Sequence, residues 1–134
     1  MKKYLTNKDI MQDDWLYPRN SNIPDKVFSI GKHVYMGGTT DCITFEKDIN
    51  VHYYTFMCNP VPLTPEILEK NGFKFMTNLW YLKIKEGKPI QIAFKNNNVI
   101  TLSINATPIP IDLKFVHQLQ HALRLYGIEK EIEL

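Results

Sequence analysis

Two histidines four residues apart are the strongest candidates for chemistry in this chain. His117 and His121 lie in the segment HQLQH, and residues spaced by four share one side of an α-helix, where two imidazoles could bind one metal ion. A zinc protease needs HExxH with the glutamate as general base, but Gln118 holds that position here. The spacing of His33 and His52 brings neither residue near the pair as a third ligand. The pattern therefore favours a polar helix face that holds no metal ion.

The last helix that carries these histidines is predicted over 113–126, with Asp112 as N-cap and Gly127 after its last turn. On one side it places four polar residues, His117, Gln120, His121 and Arg124. On the other side it places Phe115, Val116, Leu119, Ala122, Leu123 and Tyr126. We expect the apolar side to pack on a sheet and the polar side to face outward, where it could bind a protein partner or mediate self-association. The alternative is a polar side that is only solvated, as most are.

Aromatic residues in the run HYYTF at 52–56 suggest a second kind of surface. Tyr53 and Tyr54, with nearby lysines, could stack on the bases of a nucleic acid or on a nucleotide. Aromatic residues also favour strands for structural reasons, and alternation would point Tyr53 to one face and Tyr54 with Phe56 to the other. The chain has 16 Lys and Arg against 14 Asp and Glu, without the basic excess typical of nucleic-acid binding. Binding of nucleic acid or nucleotide is therefore the alternative hypothesis.

The remaining motifs do not assemble a catalytic set. GGTT at 37–40 resembles a phosphate loop, but no helix is predicted after it, and we interpret it as a turn. Asp13 with Asp14, and the glutamates within 129–133, are candidate carboxylate groups that lie near the chain ends, where solvation is easy. The sequence does not place a nucleophile, a base and an orienting group together. We expect a protein that is not an enzyme and uses no cofactor, with a metal-dependent enzyme as the least favoured alternative.

A short helix in the middle of the chain has the best-defined ends. The stretch NPVPLTPEILEKNGF at 59–73 has Thr64 as N-cap and Pro65 at the first helical position, where a missing N–H costs nothing. Gly72 suits the left-handed position after the last turn, so that Phe73 folds back onto the helix. The prolines before Thr64 hold the preceding backbone extended. This Pro-bracketed helix divides the chain.

Strand signals follow the short helix with a period of two. The clearest lie at 79–85, 90–95 and 98–104. Their connections, 86–88 and 96–97, have the length of hairpin loops. We predict a three-stranded antiparallel meander whose apolar face is covered by the C-terminal helix.

Shorter strand signals precede the short helix. Four or five β-rich runs before residue 58 suggest a small, strongly bent barrel. The predicted fold is therefore α+β, with a small N-terminal β-barrel-like lobe at 1–58. The helix, the meander and the C-terminal helix follow at 59–134, either as a second part or within one continuous domain.

Composition places the chain among ordinary globular proteins. Its 134 residues are 44% hydrophobic and 22% charged, and the formal net charge of +2 does not require a polyanionic partner. Cys42 and Cys58 have no CxxC spacing and lie in apolar surroundings, so we expect reduced, buried thiols. No apolar run approaches the ~18 residues of a membrane span. We expect a cytoplasmic protein that does not bind membranes.

Three blocks of the sequence form a recognisable pattern. They are NPVPLTPEILEKNGF at 59–73, FVHQLQHALRLYGIEKEIEL at 115–134 and, more weakly, LTNKDIMQDDWLY at 5–17. Together they resemble small uncharacterised proteins encoded by bacteriophages and mobile elements of gut bacteria. Asp13 stands where a glycine is usual, and related members often vary at the position of His121, which speaks against a metal pair. The resemblance implies a genetic setting and no reaction.

The fold analogy adds one expectation about function. The opening portion is similar to small barrels of the Src-homology kind, which usually bind peptides or nucleic acid. The favoured hypothesis is a non-enzymatic, phage-type accessory binding module that engages a host or phage protein. The partner would meet the N-terminal lobe or the polar side of the last helix.

Overall fold

Two antiparallel sheets of five strands each dominate the computed structural model, which describes residues 4–83, 89–95 and 99–134. The strands are β1 (Trp15–Tyr17), β2 (Asp25–Tyr35), β3 (Gly38–Phe45), β4 (Asp48–Tyr54), β5 (Asn59–Pro60), β6 (Lys74–Met76), β7 (Leu79–Lys83), β8 (Pro89–Lys95), β9 (Val99–Ile104) and β10 (Thr107–Leu113). The helices are α1 (Pro65–Lys70) and α2 (Val116–Leu125), with 3-10 helices at Asn7–Asp9 and Thr55–Met57. In the described ranges, no helix has the length and apolar character needed to cross a membrane. The α+β class is confirmed.

The N-terminal sheet is open, so the predicted barrel-like closure is wrong. Its strand order is β4-β3-β2-β1-β5, which leaves β4 and β5 as its two edges. Closure would require these edge strands to pair with each other. Among the described residues, β5 pairs only with β1, through two residues, and its second residue is Pro60, which has no N–H to donate. A strand that short cannot continue the ladder around to β4.

The second sheet has the order β10-β9-β8-β7-β6, and the antiparallel pairing of β7, β8 and β9 confirms the meander. The sequence did not predict β6 and β10, which extend it on both sides. β6 has three exposed residues, and β10 contains Pro108 and Pro110, which argue against a strand except at an edge. The predicted connections at 86–88 and 96–97, with residues 84–85 and 98, lie outside the described residues.

The predicted start of the last helix is wrong, because Asp112 belongs to β10 and does not cap α2. The helix begins at Val116, after Phe115 in an extended conformation. Gln118 takes the capping role from inside the helix, where its Oε1 accepts the backbone N–H of Lys114 at 2.8 Å and of Phe115 at 3.0 Å. The predicted end is confirmed: Gly127 has a φ of +72°.

The ends of α1 follow the sequence closely. Thr64 Oγ1 accepts the N–H of Ile67 at 3.3 Å, and Pro65 is the first helical residue. Gly72 has a φ of +89°, and the N–H of Phe73 donates to the carbonyl of Leu68 at 3.0 Å. Phe73 is thereby buried beside Leu68, as predicted.

One apolar core joins the second sheet to both helices. Its buried members include Leu68, Phe73, Ile90, Ile92, Leu102, Ile104, Val116, Leu119, Ala122 and Leu123. α2 therefore covers the apolar face of the meander, as predicted. Trp15 and Tyr17 of β1 pack against this core as well, and the indole N–H of Trp15 donates to the carbonyl of Ile132 at 2.7 Å. The two sheets thus share a boundary along β1.

Leu119 and Leu125 provide a matched pair on α2. Leu119 is fully buried in the core, whereas Leu125 is 83% exposed. We expect Leu119→Ala to lower the free energy of unfolding by about 2 to 5 kcal/mol, because the substitution leaves a cavity. Leu125→Ala should change it by no more than about 0.5 kcal/mol. Denaturant unfolding of both variants measures the difference, and equal losses would contradict the packing of α2.

Asp13 adopts the left-handed region, with a φ of +69°, at the position where the family resemblance implies glycine. A side chain is strained there and glycine is not. We expect Asp13→Gly to raise the free energy of unfolding by up to about 1 kcal/mol and Asp13→Ala to lower it. Both variants remove the carboxylate, so thermal unfolding of the two isolates the backbone effect. Equal stability of the two variants would argue against strain at this position.

Candidate binding cleft

The carboxylate of Asp14 is the centre of the polar contacts between the N-terminal segment, residues 4–14, and α2. Asp14 is fully buried, immediately before β1. Its backbone N–H donates to the carbonyl of Met11 at 3.2 Å, and its Oδ2 accepts the N–H of Met11 at 2.7 Å. Its carbonyl accepts the N–H of Val27 at 2.9 Å. The turn and the strand pairing together fix where the carboxylate points.

Two side chains from one turn of α2 complete the surroundings of this carboxylate. His121 Nε2 lies 2.6 Å from Asp14 Oδ2, and Arg124 Nη1 lies 3.1 Å from Oδ1. A buried charge is tolerated when hydrogen-bond donors and an opposite charge surround it. The contact with a carboxylate requires the proton of His121 on Nε2. We call the contacts of Asp14 with Met11, His121 and Arg124 the Asp14 clasp.

The polar side of α2 does not face outward, so that part of the sequence prediction is wrong. His117 is only 4% exposed and Gln120 only 1%, while the side chains of His121 and Arg124 are partly exposed. Gln120 Nε2 donates to the carbonyl of Asp13 at 3.4 Å. The physical reason is that α2 packs on two sides, with its apolar side on the sheet and its polar side on the N-terminal segment.

His117 has an unusual environment within this contact. Its ring is stacked on Phe115 at 5.9 Å between centroids and meets the ring of His121 edge-on at 5.5 Å. Burial lowers the pKa of His117, with a further lowering by His121, while Asp14 and Asp9 act in the opposite direction. His117 is therefore neutral at neutral pH. In the described ranges, no three His, Cys, Asp or Glu side chains are grouped so that they could hold a metal ion.

Tyr53 and Tyr54 point to different faces, as alternation predicts. Tyr53 packs edge-on against Phe45, at 5.4 Å between centroids, beside the core of the N-terminal sheet. Tyr54 is stacked on Phe56 at 5.9 Å, on the other face. Only Tyr54 therefore belongs to the more open aromatic surface, and the structure does not bring the two tyrosines together as one platform.

An open cleft lies where the N-terminal segment, β5 and the start of α2 meet. It consists of two adjoining cavities of about 470 and 580 Å³, which share Tyr4, Leu5, Pro60 and Phe115 as lining residues. The first cavity also has Arg19, Asn20, Phe56, Met57, Cys58 and Asn59. The second also has Lys8, Asp9, Asp112, Lys114, His117, Gln118 and His121. Of the candidate residues from the sequence, His117 and His121 thus line the cleft.

The cleft does not present an activated thiol. Cys58 and Cys42 are free and buried, as predicted. Burial raises the pKa of the Cys58 thiol to about 11, so the thiol stays protonated at neutral pH and is a poor nucleophile. Cys58 therefore contributes apolar packing to the cleft wall.

Several residues of this region escaped the sequence analysis. Asp14 was considered only as part of an acidic pair near the chain end, and Tyr4 and Phe115 were not considered as site residues. The only signal was a weak one: an Asp directly before the apolar pattern of β1 can be buried, and a buried Asp needs a partner. The polar side of the last helix, which carries His121 and Arg124, offers such a partner.

Removal of the Asp14 carboxylate should be costly. Asp14→Ala leaves Arg124 and His121 without their acceptor, and we expect a loss of roughly 2 to 4 kcal/mol in the free energy of unfolding. The expected loss is somewhat smaller than that for a fully buried ion pair, because both partners of Asp14 keep some exposure to water. Asp112→Ala is the control, since its contact with Lys114 at 3.1 Å is exposed, and it should change little. Similar losses from the two variants would mean that the Asp14 clasp contributes no more than a surface ion pair.

Comparisons with known proteins add no assignment to this geometry. No protein-family model matches the chain, and neither curated proteins nor solved structures give a match. The phage setting suggested by the sequence blocks therefore stays a hypothesis.

Proposed function

We propose that this protein is a non-enzymatic binding module that engages a segment of a partner protein in the cleft beside the N-terminal segment. The observation that carries the proposal is the exposure of large aromatic side chains inside a concave surface, with Tyr4 60% and Phe56 42% exposed. Aromatic side chains left in contact with water in a cleft lose unfavourable hydration when a ligand covers them. Tyrosine and phenylalanine also lose little conformational freedom on binding.

The mixed charges of the cleft favour a protein partner over a polyanion. Lys8 and Lys114 line the second cavity together with Asp9 and Asp112, so the two signs are balanced there. A phosphate backbone would meet two carboxylates as well as two ammonium groups, which weakens attraction at every salt concentration. A polypeptide carries donors, acceptors and both charges, and it matches this surface better. Arg19 in the first cavity could pair with an acidic residue of the partner.

An aromatic row supports a second candidate, the binding of single-stranded nucleic acid or a nucleotide. Tyr4 meets Phe56 edge-on at 6.4 Å, Phe56 is stacked on Tyr54 at 5.9 Å, and Tyr54 meets His33 edge-on at 6.2 Å. Such a row offers faces on which bases could stack. The balanced charge in the cleft makes this candidate the weaker of the two.

The biological setting of the module is proposed on the sequence alone. The blocks at 59–73 and 115–134 support an accessory role in a phage or mobile element, with a host or phage protein as partner. Two free, buried cysteines support a reducing compartment such as the cytoplasm.

Affinity capture with matched variants tests the proposal. We expect a partner retained from host cells by the parent protein to be lost, by at least about tenfold, when Tyr4→Ala and Phe56→Ala are combined, since each aromatic anchor contributes about 1 to 2 kcal/mol. Phe75→Ala is the control, because Phe75 is similarly exposed but lies on β6, away from the cleft. If all variants retained the partner equally, or if Phe75→Ala lost it as fully as the double variant, the cleft would not be the binding site.

Oligonucleotide titration separates the two candidates. A protein that binds nucleic acid loses affinity steeply as salt rises, because each phosphate contact releases counterions. We expect no saturable binding of labelled single strands at 50 mM or 200 mM salt, two concentrations chosen to expose that slope. Saturable binding that weakens with salt and with Tyr54→Ala would favour the second candidate instead.

A further inference from the structure

Buried polar atoms without a hydrogen-bond partner are concentrated on one side of α2. Among the described residues, the buried side-chain atoms in this state are His117 Nδ1, Gln120 Oε1 and Arg124 Nη2. The third atom lies 3.7 Å from Glu131 Oε2, within ion-pair distance but beyond a hydrogen bond. All three belong to the side of α2 that packs on the N-terminal segment. An unsatisfied buried atom destabilises its surroundings, so this contact should be weaker than the apolar side of the same helix.

His117 is the member of this group that can gain a charge. Its ring lies between Phe115 and His121 and is almost completely buried. Charged or titratable groups face this region from three directions. They are Lys8, Asp9 and Asp14 on the N-terminal segment, His121 and Arg124 on α2, and Asp112 and Lys114 beside its start.

Asp14 is the acidic group best placed to compensate a proton on His117, but its carboxylate is already occupied. Its Oδ2 accepts from Met11 and His121, and its Oδ1 accepts from Arg124. A positive charge on His117, close to His121 and Arg124, would therefore add repulsion without gaining a hydrogen-bond acceptor of its own. Asn7, through hydrogen bonds, and the buried Ile10 keep the rest of the segment on the N-terminal sheet. The response that disturbs least is therefore local: residues 11–14 separate from α2 and water reaches the ring.

We propose that the contact between the N-terminal segment and α2 is an acid-sensitive closure, which holds the cleft wall in place while His117 is neutral and releases it when His117 takes up a proton. This regulation rests on the proposed binding function of the cleft, since Tyr4, Leu5 and Lys8 of the N-terminal segment line it. Acid would then loosen one wall of the binding site and weaken binding of the partner.

The pH range follows from the direction of the His117 shift. Burial lowers the pKa of His117 below its ordinary value of 6.5. The open form therefore binds the proton more readily than the closed form, and the closed form loses stability as the pH falls below about 6.5. About one pH unit above that value both forms are almost entirely neutral at His117, and the closure has its full strength. We expect a closed cleft at pH ~7.5 and a loosened one at pH ~5.5.

Hydrogen exchange tests the closure without any ligand. The reporter is the amide of Met11, which donates to Asp14, and the internal reference is the amide of Ile92 in the second sheet. Between pH ~7.5 and ~5.5 we expect the protection factor of Met11 to fall by about tenfold more than that of Ile92. His117→Asn should abolish this difference, and His52→Asn on the exposed β4 should preserve it. An equal fall at both amides, or a fall that survives in the His117 variant, would overturn the proposal.

A second variant keeps the test valid if His117→Asn does not fold. His117→Phe keeps an aromatic ring beside Phe115 and cannot titrate, so it should fold and show no pH-dependent loss of protection at Met11. Partner retention at the two pH values then connects the closure to function. We expect retention by the parent to weaken in acid by up to about tenfold, and retention by His117→Phe, whatever its level, to be the same at both pH values.

The two readouts distinguish the failure of this proposal from the failure of the proposed function. Loss of Met11 protection in acid, with no partner retained at either pH, would support the closure and reject the binding role of the cleft. A partner retained equally at both pH values, with flat protection at Met11, would support binding and reject the closure.

Discussion

The buried carboxylate of Asp14 is the constraint on which the contact between the N-terminal segment and α2 depends. A charge removed from water requires donors around it, and here they come from its own turn at Met11 and from one turn of α2, through His121 and Arg124. α2 is itself fixed on the second sheet by Leu119. The N-terminal segment therefore has to lie along α2, and the cleft arises where these parts meet beside β5.

The edge strands that the structure describes, β4, β5, β6 and β10, are poorly suited to pair with a strand of another protein. β4 contains a bulge, and the N–H of Asn50 is satisfied within the strand by Asp48 Oδ1 at 3.1 Å. β10 carries Pro108 and Pro110, while β5 and β6 have only two and three residues. Bulged, proline-bearing or very short edges pair poorly with another strand. Binding by addition of a strand is therefore disfavoured, and concave side-chain surfaces remain.

The parts of the fold that depend on local chemistry could be predicted from the sequence, and those that depend on distant partners could not. Thr64, Gly72 and Gly127 mark helix ends because caps and left-handed glycines act within a few residues. The polar side of α2 was wrongly predicted to face outward, because a helical wheel assumes that a helix has only one buried side. The partner that buries the second side, Asp14, lies 107 residues from His121 in the sequence. The prediction of a barrel was wrong for a similar reason. A sheet closes only if its two edge strands, which are distant in the sequence, pair with each other.

The position of β1 limits how far the cleft wall could move. β1 is paired on both sides, with β2 and β5, and the indole of Trp15 is bonded to the carbonyl of Ile132. The apolar side of α2 is packed independently, in the core of the second sheet. Loss of the polar contacts at α2 would therefore loosen residues 11–14, while Asn7 and Ile10 stay on the N-terminal sheet and both sheets stay folded. A module built in this way can change the shape of its cleft through a few side chains, because the apolar core and the cleft wall share α2 but use opposite sides of it.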